Sequence, residues 1–201
     1  MKLLEVLGTP EQSKETIEDY RSRLRDLKIK RVGSGIHADV FQHPQADTIV
    51  VKVAEEWDAP MAYLRYILEH QNNPYVPKVY SVRRFERKKG RSQYYIAFIE
   101  KLKEYKLLND KQKQRITEKH FGLDVVAFLG GGKKYNSGVF DYMTDPKGIA
   151  LMRASNKKRG VPSKHLIDVL SFLGKFGDRI DLHQGNVMLR GDHLVITDPV
   201  V

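Results

Sequence analysis

The chain has 201 residues and no cysteine, which leaves room for one large domain or two small lobes and excludes a disulfide framework or a thiolate metal site. Its 35 lysines and arginines against 25 aspartates and glutamates give a formal charge of +10. That sign favours a polyanionic partner, whether nucleotide, nucleic acid or an acidic protein surface, and does not choose among them. The N-terminal MKLLEVLGTPEQSKE has an apolar stretch too short for a signal peptide, and no run elsewhere is long enough to span a bilayer, so the expected setting is cytoplasmic and away from membranes.

In chain order, the first predicted element is a helix. Thr9-Pro10-Glu11-Gln12 has a capping-box pattern, and Ile17, Tyr20, Leu24 and Leu27 follow at helical spacing. From Lys28 the pattern turns strand-like: KIKRV, ADVFQ and TIVVKVA, with GSG and HPQAD as turns, read as three consecutive antiparallel strands. MAYLRYILEH reads as a helix, and NNPYVP breaks it. Strands around KVYSVRRF and QYYIAFIE follow, joined by the basic turn ERKKGRS. The remainder is mostly helical, with apolar residues at helical spacing over 107–128 and 163–176 and GGGKKYNSG as the loop between. Ser163 is the expected cap of the later helix and Gly177 its end.

Two stretches carry chemistry. In RVGSGIHADVF, Gly33 and Gly35 lie between two strands, where glycine lets a hairpin tip bring backbone N–H groups against a phosphate. Such a turn is also ordinary. Lys52 adds weight, being the single cation in the apolar run IVVKVA, because a lysine there is costly to bury unless it meets an anion. An edge position with Lys52 in solvent explains the strand equally well.

The second stretch is DLHQGNVMLRGDHLVITDPVV at residues 181–201. Asp181 and Asn186 fall in a loop, and a short hairpin then delivers Asp198. Two carboxylates and an amide oxygen gathered this way suit a hard cation such as Mg²⁺, with Asp181 left as base or orienter for a hydroxyl. The plain alternative is that Asp and Asn cap turns.

The order of parts resembles the protein-kinase-like fold: an α+β, two-lobed chain with an antiparallel-sheet N-lobe over 1–101 and a truncated, mostly helical C-lobe over 102–201. The resemblance implies ATP and Mg²⁺ as cofactors. Gly33, Ser34, Gly35, Val40, Glu100 and Leu102 would bind nucleotide, and Lys52 would meet the α- and β-phosphates. Asp181 would be the catalytic base, with Asn186 and Asp198 as metal ligands. More narrowly, DLHQGNVM with ITDPV, GSGIHADVFQHP and VPKVYSV are similar to the early-gene serine/threonine protein kinases of short-tailed bacteriophages. That family implies phosphorylation of host proteins, transcription or RNA-processing machinery among them, in the host bacterial cytoplasm. His183 falls where ordinary protein kinases carry the lysine of their catalytic loop, so it either touches the γ-phosphate or orders the loop. Arg179-Ile180-Asp181 stands in place of His-Arg-Asp, and Asp198-Pro199-Val200 in place of Asp-Phe-Gly. With no activation segment before Val201, constitutive activity is expected. Substrates would then be held by basic runs such as Arg83-Arg84, Arg87-Lys88-Lys89-Arg91 and Lys157-Lys158-Arg159. Two other classes stay open: a small-molecule phosphotransferase of the aminoglycoside or choline kinase type, and an inactive kinase-like module that binds a host protein.

Overall fold

The computed structural model describes residues 16–35, 37–85, 93–121, 144, 146–183 and 185–200. The capping pattern at Thr9, the basic turn at 86–92 and the glycine loop at 130–138 lie outside them. The described residues form two units, Met1–Trp57 with Lys78–Lys101, and Asp58–Pro77 with Leu102–Val201.

The first unit opens with helix α1 (Ile17–Asp26). Its cap is Thr16, whose hydroxyl accepts the Asp19 N–H at 3.1 Å while the Asp19 carboxylate accepts the Thr16 N–H at 2.9 Å. Both groups are otherwise orphaned at a helix start. Ile17, Tyr20 and Leu24 are buried, whereas Leu27, expected on the same apolar face, is exposed because it caps the helix end. Lys28 then takes a left-handed conformation at φ 55°, and the Ile29 N–H still returns to Leu24 at 3.0 Å. The first strand therefore starts at Arg31 and not at Lys28.

Five strands follow: β1 (Arg31–Ser34), β2 (Ala38–Gln42), β3 (Ile49–Glu55), β4 (Val79–Phe85) and β5 (Tyr94–Glu100). They form one antiparallel sheet in the order β1-β2-β3-β5-β4. One face carries Phe41, Val51, Val53, Tyr94, Ile96 and Phe98, all buried with Ile17, Tyr20 and Leu24 of α1. Each such side chain contributes about 1.5–3 kcal/mol when fully buried. Arg21 of α1 adds an ion pair to Asp39 of β2 at 2.8 Å.

The second unit holds α2 (Asp58–Glu69), a short strand β6 (Lys103–Glu104), α3 (Asp110–Phe121), α4 (Pro146–Arg159), α5 (Lys164–Leu173) and the hairpin of β7 (Val187–Arg190) and β8 (His193–Ile196). The strands order as β6-β7-β8. A first lobe over 1–101 would include Asp58–Pro77. Four long-range bonds explain why they group with the second: Tyr63 hydroxyl to the Ile196 carbonyl at 2.8 Å, Asn73 Nδ2 to the His165 carbonyl at 2.9 Å, and Arg190 to the carbonyls of Pro74 and Val76 at 2.9 and 3.1 Å.

Ser163 caps α5 as expected, accepting the Leu166 N–H at 3.3 Å. Gly177 does not end that helix. The chain passes from Leu173 into a 3₁₀ segment, Gly174–Arg179, in which Gly177 has φ 59°. Helix α4 has no clean apolar stripe to announce it, burying chiefly Ile149 and Met152 while Lys157 and Lys158 are exposed.

Candidate active site

In the first unit, strand register places the nucleotide candidates. Gly33 pairs with Val40, Val40 with Lys52, Lys52 with Ala97, and Ala97 with Val82. Directly paired residues share a sheet face, so these form one row across all five strands. Their neighbours Phe41, Val51 and Phe98 belong to the face that α1 covers. Lys52 thus lies on the opposite face, half-buried, in the central strand. An edge position for Lys52 is excluded by the strand order.

The turn after β1 closes with the Gly35 N–H on the Ala38 carbonyl at 2.7 Å, and Ser34 is exposed. Glu100 and Leu102 are half-buried. The Glu100 carboxylate accepts the Lys78 N–H at 2.7 Å, and the Glu100 N–H returns to the Lys78 carbonyl at 3.0 Å. Glu69, the single carboxylate within MAYLRYILEH, is exposed as the last residue of α2.

In the second unit, the loop 181–186 and the end of the β7–β8 hairpin are bonded into one constellation. Asn186 Nδ2 donates to the Asp181 carbonyl at 2.6 Å and to Asp181 Oδ2 at 3.1 Å. Two oxygen acceptors on one side fix which end of the amide is nitrogen. Asn186 Oδ1 is turned away from them, and among the described residues it accepts no hydrogen bond. The Asp181 N–H donates to the Pro199 carbonyl at 2.7 Å, and Ile180 bridges Val200. On the other side of Asp198, the Thr197 N–H and hydroxyl both donate to the Asn186 carbonyl, at 3.0 and 3.1 Å. Asp198 is therefore bracketed by one residue bonded to Asp181 and one bonded to Asn186.

His183 joins the same group. Its Nδ1 accepts the Gly185 N–H at 2.9 Å, which leaves Nε2 as the nitrogen that carries the proton of the neutral ring. That Nε2 lies 3.5 Å from Asp181 Oδ2 and 3.2 Å from Asn186 Nδ2. Gly185 is what allows the ring this position, since a Cβ there would come within 2.6 Å of His183 Cε1.

Asp181 and His183 are both over two-fifths exposed, accessible to a reactant, whereas Asp198 is half-buried. Beneath Asp198, burial first, then Tyr66 and the Asp198 carboxylate, push the Tyr63 hydroxyl well above the ordinary tyrosine range. Tyr63 stays a neutral donor on Ile196, two residues before Asp198. Asp198 and the Asn186 amide oxygen are oxygen ligands of the kind that would suit a hard cation such as Mg²⁺. Among the described residues no group of three or more His, Asp or Glu is placed to hold a metal ion, so Asp198 would be the one carboxylate in that ligand set.

Sequence reasoning missed Tyr63, Gly185 and Thr197. Gly185 and Thr197 were within the quoted motif and signalled by it. Tyr63 had no signal, since its partner is 133 residues away.

The family model for Bacteriophage T7 protein kinase 0.7 matches residues 11–201. The chain belongs to this family. It is a phage protein kinase by descent, with the α+β, kinase-like arrangement of an antiparallel sheet followed by helices. Among curated proteins no match was found. Among solved structures, one that is similar is the streptomycin–ATP–APH(2")-IIa ternary complex, at 16% identity and a TM-score of 0.30, covering 90% of this chain and 69% of that one. No helix among the described residues is long and apolar enough to cross a membrane.

Proposed function

We propose that the chain is an ATP-dependent serine/threonine protein kinase that phosphorylates host bacterial proteins during infection, transcription and RNA-processing machinery being the expected targets, in the host cytoplasm. The observation that carries this reading is the bonding of Asp181, Asn186 and the segment around Asp198 into one constellation. Asp181 is the base for the substrate hydroxyl, its carboxylate held in place by Asn186 Nδ2 and His183. Lys52, the row cation of the central strand, meets the nucleotide phosphates. Asn186 and Asp198 would hold Mg²⁺, which supplies neutralisation of phosphate charge when bound. His183, locked by Gly185, orders the carboxylate of Asp181 and presents its Nε2 to the same region.

Protein targets would be acidic surfaces docked by exposed cations, for which Lys157 and Lys158 are available on α4. Arg84 is less so, since both its Nε and Nη2 donate to Glu56 at 2.7 Å. The test is incubation with labelled ATP and Mg²⁺, with and without bacterial lysate, beside an Asp181→Asn control. Label in host proteins, lost in the control, is the expected result. Label confined to small molecules would replace the reading with a small-molecule phosphotransferase, and no label at all would leave an inactive binding module.

A further inference from the structure

His37 stands two residues beyond Gly35, and the groups around it form a small joint. Its carbonyl accepts the Glu55 N–H at 3.0 Å, so the far side of the glycine turn is fastened to the end of β3. Its ring lies against Trp57, centroids 4.8 Å apart and planes 49° apart. The Trp57 indole Nε1–H donates to Glu55 Oε2 at 3.3 Å, and the same oxygen is 3.6 Å from His37 Nδ1. One carboxylate therefore lies against both the turn and Trp57, two residues beyond the end of β3. Trp57 is 49% exposed, so its indole is held by this joint and not by burial in a core. A large ring held at a surface by one directed hydrogen bond and one ring contact is well placed to set a neighbouring turn and poorly placed to stabilise a fold.

We propose that His37, Glu55 and Trp57 form a clasp that sets the position of the glycine turn over bound nucleotide, with Trp57 as a positioning residue for ATP. This rests on the reading of Gly33 and Gly35 as the phosphate cover. Trp57 is the chain's one tryptophan, so its emission is an unshared reporter of the turn.

The experiment titrates Mg-ATP into the whole chain, following Trp57 emission and, in parallel, heat of binding. Two variants accompany it, Trp57→Phe, which keeps a ring and drops the indole N–H, and His37→Ala, which drops the ring from the turn. The expected result is a saturable emission change that tracks calorimetric binding. In both variants KM for ATP should rise about three- to tenfold, the size of one lost contact, with a smaller change in kcat. Melting without nucleotide should stay near wild type, which a merely structural role would not allow. Calorimetric binding with flat Trp57 emission and unchanged KM in both variants would overturn the clasp and leave the ATP reading intact. Absence of calorimetric binding in the wild type would overturn both.

Discussion

The glycine turn with Lys52 and the loop around Asp181 are built by opposite means. The first set is placed by strand register: Gly33, Val40, Lys52 and Ala97 come into one row because three strand pairings agree. The second is placed by side chains bonded directly to neighbouring backbone, Asn186 to Asp181 and Thr197 to Asn186. A register is set by the whole core, so single changes on the row should leave the fold alone and affect only the ligand. A local network sets its own geometry, so single changes within it should move several groups together.

The largest expected effect tests the local network at the residue it brackets. Asp198→Ala should cost at least two decades in phosphoryl transfer, about 2.7 kcal/mol of transition-state stabilisation, with the melting midpoint little changed. A near wild-type rate at saturating Mg²⁺ would remove Asp198 from the chemistry. The register side is tested by Lys52→Met, which keeps the apolar stem and loses the charge. Melting without nucleotide should match wild type, while the stabilisation by Mg-ATP, about 2.7 kcal/mol at a hundredfold excess over Kd, should shrink. Equal ATP shifts in both proteins would show that the row does not meet phosphate.

Gly185→Ala sharpens the contrast, because it adds one methyl group and touches no reacting atom. The new Cβ would displace the His183 ring and with it the setting of Asp181, so kcat should fall about tenfold or more. An unchanged kcat would mean that the loop adapts and is less of a unit than its bonds suggest.

The smallest effect concerns the hairpin on the side away from Asp198. His193 packs between Tyr75 and His120, each ring centroid 4.6 Å away, with its Nε2 buried and unbonded among the described residues. Burial first, then His120, Arg190 and Lys119, lower its pKa from 6.5 to about 4. The unfolded chain then binds the proton first, so stability is full above pH 6.5 and falls as pH drops towards 4. Because His193 is only half-buried, solvent screens the effect. Denaturant midpoints at pH 7 and pH 5 should differ in the wild type and differ less in His193→Phe.

These two modes also explain what could be read in advance. The strands of the sheet were legible because alternation and turn residues are local signals, and the loop 181–198 because its partners sit within eighteen residues of one another. Thr16 went unrecognised as the cap because Thr9-Pro10 offered a stronger pattern upstream. The late start of β1 depends on the left-handed Lys28, a conformation that a lysine does not advertise. The grouping of α2 with the second unit depends on Tyr63, Asn73 and Arg190 finding carbonyls 92 to 133 positions away. Nothing in a window of ten residues contains that information.

The bond from Tyr63 to Ile196 also bears on how the chain is made. All five strands of the first unit have been synthesised by Glu100, whereas the carbonyl that Tyr63 needs follows it by 133 residues. At roughly 5–20 residues per second on a ribosome, α2 waits on the order of ten seconds for that partner. Through that interval Tyr63, Leu64 and Ile67 have no finished core to enter, although all three end up buried. A helix kept waiting in this way, between two strands of a sheet that can already close, is where a nascent chain of this protein would most need a chaperone.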